Sequence, residues 1–179
     1  RAVRAQRPGQ QTRFAQDLDL PVVMSFAVSE GTRDTSGAWT PDNAKQLIDY
    51  SKSRGYRIAA TEFYNEATVS SIGGLPEDYD AAWFARDLQR FKQVFKQELP
   101  DALLLGPSSV GEGVSSPLTY LAINPSTEEM FAATGPAFDA FSYHLYPALS
   151  QRCNFFFGQT TIEDALGEPF LGFAAENTA

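Results

Sequence analysis

Cys153 is the only cysteine and His144 the only histidine among the 179 residues of this chain. A lone cysteine forbids an intrachain disulfide and supports no thiolate metal site. It leaves the compartment open, because secreted enzymes without disulfides exist. No apolar run approaches the roughly 20 residues needed to cross a bilayer, so no membrane span is expected. Positive charge is also short: 14 Lys and Arg stand against 22 Asp and Glu, a net charge of −8. That balance argues against a nucleic-acid groove or an anionic membrane as partner. There is no initiator Met, no signal peptide, no repeat and no low-complexity tract. The chain opens at Arg1 and stops at Ala179 inside a stretch that reads as a helix. We therefore expect residues 1–179 to be an internal piece of a longer protein.

What the chain does contain is enough apolar material for one sizeable core. Its composition is 43% hydrophobic with 14 Phe, and a charged fraction of 20% argues against disorder. Strand-like apolar runs alternate with amphipathic stretches. Pro21 to Val28 is a continuous apolar run of the kind a parallel strand covered on both faces needs. Thr40-Pro41 then signals a helix start, with a capping Thr and Pro at the first helical position. Ala44, Leu47, Ile48 and Ser51 form its buried face, and Gly55 its stop. Ile58 to Tyr64 reads as a second strand.

Asp80 to Leu99 is the clearest helix, with Phe84, Leu88, Phe91 and Phe95 spaced as one buried stripe. Asp80, Asp87 and the lysines of that helix read as its solvated face. Ala102 to Gly106 is a third strand, followed by a loop from Gly106 to Gly113. A helix around Tyr120 to Ala133 is interrupted or displaced by Pro125. Phe138 to Tyr146 is a fourth strand, and Thr161 to Ala179 looks helical. This alternation implies βα units on a parallel sheet. The expected fold is α/β, part of a TIM-type (β/α)8 barrel. Four strands cannot close a barrel that needs eight, which again points to a fragment.

The chemistry concentrates in Arg57-Ile-Ala-Ala-Thr-Glu-Phe-Tyr-Asn-Glu66, an apolar run that ends abruptly in an Asn-Glu pair. A carboxylate delivered to the C-terminal end of a barrel strand stands where that fold keeps its chemistry. Such a Glu can protonate a glycosidic oxygen. On pattern alone, a helix-capping Asn65 beside a solvated Glu66 is the better-supported reading. Two features shift the balance. Glu62 and Glu66 are four residues apart on one strand, so both should point to one face. A buried strand rarely carries two carboxylates unless they are paired or functional.

Asn65, Tyr64 and Thr61 add hydrogen-bonding groups around that carboxylate. His144 lies in Tyr143-His144-Leu145-Tyr146 near the end of a strand, where the aromatic rings could stack on sugars and the imidazole bond a hydroxyl or carboxylate. A satisfied core-edge cluster is an equal alternative. Trp39 reads as a staple for the following helix in preference to a sugar platform. No phosphate-binding motif, metal-ligand cluster or nucleophile elbow is visible around Ser108-Ser109, and no cofactor is expected.

Taken in order, these segments resemble glycoside hydrolase family 79, which contains heparanase and β-glucuronidases. The resemblance rests on Trp39, Asn43-Ala44, the Leu47-Ile-Asp-Tyr50 helix, Gly55-Tyr56 and Glu62-Phe-Tyr-Asn-Glu66. Leu105-Gly-Pro107 and Tyr143-His-Leu-Tyr146 match later landmarks. It implies that Glu66 is the general acid/base of a retaining β-glycoside hydrolase, at the end of the fourth barrel strand. Asn65, Glu62, Tyr64, His144 and Tyr146 would contact the carbohydrate substrate. The run from Pro21 would be the third strand, Leu103 to Leu105 the fifth and Phe138 to Tyr146 the sixth. The resemblance also favours a secreted or extracytoplasmic enzyme.

Two residues depart from the family pattern: Tyr64 stands where many relatives have Gly, and Ala67 where many have Pro. The retaining mechanism needs a second Glu as nucleophile, about 5–5.5 Å from the first. Glu176 is far enough along the chain, but its surroundings read as a helix, so the nucleophile is expected beyond Ala179. The acidic balance favours a small glucuronide or plant-type glycan over long sulfated chains. A non-catalytic carbohydrate-binding relative and another retaining hydrolase of the same clan are the competing readings.

Overall fold

The structure is a computed structural model, described for residues 9–71, 73–112, 123–144 and 161–168. Along the chain, α1 (Gly9–Asp17) leads to β1 (Val22–Met24), then α2 (Asp42–Ser53), β2 (Ile58–Glu62) and α3 (Ala81–Glu98). β3 (Leu103–Val110), α4 (Thr127–Thr134), β4 (Ala140–His144) and the short α5 (Ile162–Leu166) follow. The four strands form one parallel sheet in the order β1-β2-β3-β4. Parallel neighbours in sequence order, joined by helices, are consistent with part of a TIM-type barrel.

One face of the sheet is packed under α2 and α3. Phe84, Leu88, Phe91 and Phe95 are all buried, as their spacing requires. Phe91 is the hub: its ring lies 5.0 Å from Phe63, 5.3 Å from Phe26, 5.8 Å from Trp39 and 5.8 Å from Phe95. Ala44, Ile48 and Ser51 of α2 are buried too, and Leu47 packs beside them. Gly55 ends that helix with a positive φ of 70°, which a Cβ would disfavour.

Several elements differ from expectation. The Pro21–Val28 run yields only three residues of strand, and Val23 is 57% exposed, so the strand is not covered on both faces. Its register slips between Val22 and Val23, and beyond Met24 the chain returns to β2 through the Phe26 N–H, which donates to the Phe63 carbonyl. Thr40 does not cap α2; Pro41 occupies the cap position. The Thr40 hydroxyl and amide are both committed to the Thr32 carbonyl, closing the 32–40 loop.

β3 does not end at Gly106. It continues through the supposed loop to Val110, because a bulge at Pro107–Ser109 absorbs the residue without an N–H. Pro125 precedes a helix that starts at Thr127, where Ser126 and Glu129 form a reciprocal capping box. β2 stops at Glu62, short of Tyr64. Of the Phe138–Tyr146 strand, 140–144 is observed, and of the C-terminal helix, 162–166. Tyr146 and Glu176 lie outside the described residues.

Candidate active site

The C-terminal ends of β2, β3 and β4 meet around one imidazole. Nε2 of His144, the last residue of β4, lies 3.5 Å from Oε2 of Glu62, the last residue of β2. Its Nδ1 lies 3.3 Å from Oε1 of Glu66. The two carboxylates thus flank one ring, but not because they share a strand. Glu66 is in the loop after β2, and its φ of 56° turns the backbone so that its side chain faces the same histidine. A non-glycine residue held in the left-handed region costs on the order of 1–3 kcal/mol and is enriched at functional sites.

Ser108 ties the group together. It is buried, sits on the β3 bulge with φ 63°, and its Oγ is 3.0 Å from Glu62 Oε2 and 3.1 Å from His144 Nε2. The Glu66 amide donates to the same oxygen at 3.4 Å, and the Ala67 amide donates to the Ser108 carbonyl at 3.1 Å. The Ser25 hydroxyl reaches Glu62 Oε2 at 3.4 Å from beyond β1. Glu62 is thereby held from the chain on either side of β2.

The hydrogens can be counted. Ser108 has one hydroxyl hydrogen, and an ionised carboxylate is the stronger acceptor, so it goes to Glu62. The hydrogen on His144 Nε2 then faces both the serine oxygen at 3.1 Å and Glu62 Oε2 at 3.5 Å. That leaves Nδ1 facing Glu66 Oε1 at 3.3 Å. Burial pushes the Glu62 carboxyl upward, but hydrogen bonds from the His144 ring and nearby hydroxyls outweigh it and hold the group below its ordinary value. The bond to Glu62 raises His144 above its ordinary value, against a smaller opposing effect of burial.

Glu66 also lines a cleft of about 190 Å³ with Asn65, Tyr64, Val69, Gly73 and the Phe26–Ser29 segment. Asn65 is exposed there and does not cap a helix, since the next one starts at Ala81. Tyr64 is 2% exposed, and its hydroxyl faces the Ala67 carbonyl at 3.5 Å, so it has no hydroxyl to offer a sugar. Its ring backs the cleft instead. Glu62 is buried and engaged by Ser25, Ser108 and His144. Trp39 is 1% exposed and packs edge-on against Phe63 and Phe91, which leaves the staple reading and removes the sugar platform.

Ser108 and Asp87 are the residues sequence reasoning missed. Gly106-Pro107 makes Ser108 read as loop, whereas it lies within β3. Asp87, expected on the solvated face of the helix, has a fully buried side chain paired with Arg33 at 2.8 Å. The signal was present in principle, since Asp87 falls between Phe84 and Leu88 on the apolar side of the helix.

Among the described residues no group of three or more His, Cys, Asp or Glu is placed to hold a metal ion, and no helix is long and apolar enough to cross a membrane. A parallel α/β sheet with its polar cluster at the carboxyl ends of the strands belongs to a broad class that binds ligands there. The particular family follows from its sequence. The glycosyl hydrolase family 79, N-terminal domain, matches residues 24–146, and the chain belongs to that family. The family is one of glycosyl hydrolases, so its substrates are carbohydrates. No curated protein sequence matches the chain.

Proposed function

We propose that this chain is part of the catalytic domain of a retaining β-glycoside hydrolase acting on glucuronides, with Glu66 as the general acid/base. The observation that carries the reading is the position of Glu66: in a cleft at the carboxyl edge of the parallel sheet, with its carboxyl against Nδ1 of His144. In the first step Glu66 gives its proton to the glycosidic oxygen as the bond to the sugar breaks. In the second it takes a proton from the water that releases the sugar. His144, fixed by Glu62 and Ser108, aims the carboxyl and can hold a proton beside it between steps.

Glu62 is not the second carboxylate of a retaining pair, since its Oε2 is occupied by hydroxyl donors from two directions and it is buried. In this reading the nucleophile comes from outside the described residues. Asn65, exposed beside Glu66, is the contact for a sugar hydroxyl.

The test is release of aryl alcohol from an aryl β-glucuronide by the intact protein, with and without Glu66→Gln, alongside the matching aryl β-glucoside. Loss in the variant, with activity partly retained on an activated leaving group, supports the proton donor. Equal rates in both proteins remove Glu66 from catalysis. Hydrolysis of the glucoside alone keeps the mechanism and removes the glucuronide.

A further inference from the structure

Asp87 belongs to none of the chemistry above, yet it is a fully buried carboxylate in the middle of α3. Its Oδ2 accepts from Arg33 Nη1 at 2.8 Å, and Arg33 Nε in turn donates to the Val28 carbonyl at 3.0 Å. Its Oδ1 accepts from the Trp39 amide at 3.2 Å, and the Trp39 indole donates to the Ala27 carbonyl at 3.0 Å. Ala27 and Val28 are consecutive residues of the cleft wall that Glu66 shares. One carboxylate oxygen therefore holds the Arg33 side chain, and the other the backbone of Trp39, the two residues whose side chains fix this wall from behind.

The same guanidinium lies 5.2 Å from the centre of the Tyr79 ring, which packs edge-on against Tyr64 at 6.3 Å. Tyr64 backs the cleft and immediately precedes Asn65 and Glu66. Arg86 braces the cluster, donating to Asp87 Oδ1 at 3.1 Å and to the Gly37 carbonyl at 3.1 Å.

We infer that Asp87, acting through Arg33 and Trp39, is a positioning residue that sets the Ala27–Val28 wall against Glu66 and so governs how tightly the sugar is held. The inference rests on the proposed glycosidase reading for its kinetic consequence, though not for its structural one. Net stability is a poor explanation for the pair, because a buried ion pair is often no better than an apolar pair of similar volume. Geometry is the better one: a charged fork with donors in fixed directions can hold the loop and the wall in one arrangement.

The test replaces the pair as a unit, Arg33→Met with Asp87→Leu, in the intact protein. Three quantities are compared with wild type: the denaturation midpoint, the kcat and KM for an aryl β-glycoside, and amide hydrogen exchange at residues 26–29. The expected result is a folded protein with a midpoint lowered by the loss of partners for the Trp39 amide and the Val28 carbonyl, a KM raised roughly tenfold with little change in kcat, and faster exchange at 26–29 while β3 amides are unchanged. A folded double variant with wild-type KM and wild-type exchange overturns the inference.

If wild type hydrolyses no aryl glycoside, the glycosidase reading fails separately, and exchange at 26–29 alone decides this one. Should the double variant not fold, Asp87→Asn keeps the acceptor for the Trp39 amide, drops the charge facing Arg33, and is read the same two ways.

Discussion

Nδ1 of His144 lies 3.3 Å from Oε1 of Glu66, although 78 positions separate the two residues in the chain. The contact depends on two backbone departures from regular strand, the positive φ at Glu66 and the bulge around Ser108. If Glu66 is the proton donor, His144 aims it without touching the bond that breaks. His144→Phe should then lower kcat roughly ten- to hundredfold, since small misplacements of a catalytic group cost up to about that much. The loss should be smaller on substrates with activated leaving groups, which need less proton donation. Equal losses on good and poor leaving groups would place His144 elsewhere in the reaction.

The same contacts make stability depend on pH. His144 is raised above its ordinary value of 6.5, so its contribution is fully present below that value and is lost as pH rises through the folded-state one. Glu62 is lowered from 4.5, so its contribution is present above that value and is lost as pH falls through the folded-state one. Both act together between about 4.5 and 6.5. The melting-temperature gap between wild type and His144→Gln should be widest in that window and shrink towards alkaline pH. A gap that widens with rising pH would contradict the network.

Gly106 has no room for a side chain. A Cβ there would lie 2.1 Å from Cε1 of Phe138, a ring that also packs edge-on against Phe131. Gly106→Ala should cost about 1–3 kcal/mol, or more if the ring cannot turn aside. Adding Phe138→Leu should recover part of that loss. Urea midpoints of the two variants decide the matter, and an unchanged midpoint in the single variant would show that the strand shifts freely.

Within the described residues β1 and β4 are the outer strands of an open sheet. Val23 is 57% and Leu103 52% exposed, and both are apolar. Open edges and bare apolar positions favour association. The 179-residue chain expressed alone should therefore run as dimers or larger species in light scattering, at concentrations where a monomer is otherwise expected. A monomer with one cooperative unfolding transition would show that the sheet is adequately covered.

The sequence by itself determined the alternation of strands and helices, the buried stripe of α3 and the stop at Gly55, and it put Glu66 forward as the candidate acid/base. These follow from period, composition and local capping, which act over a few residues and survive in any context. It also carried the ordered landmarks by which the family is recognised. It could not determine where β1 and β3 end, because strand length depends on pairing partners and on where a bulge absorbs a proline. Nor could it show that Asp87 is buried, since the residues that neutralise it come from another segment of the chain. The convergence of Glu62, Ser108 and His144 on one point was decided only by tertiary structure. Parallel register sets which strand ends are neighbours, and no local pattern encodes a register between strands some 40 residues apart.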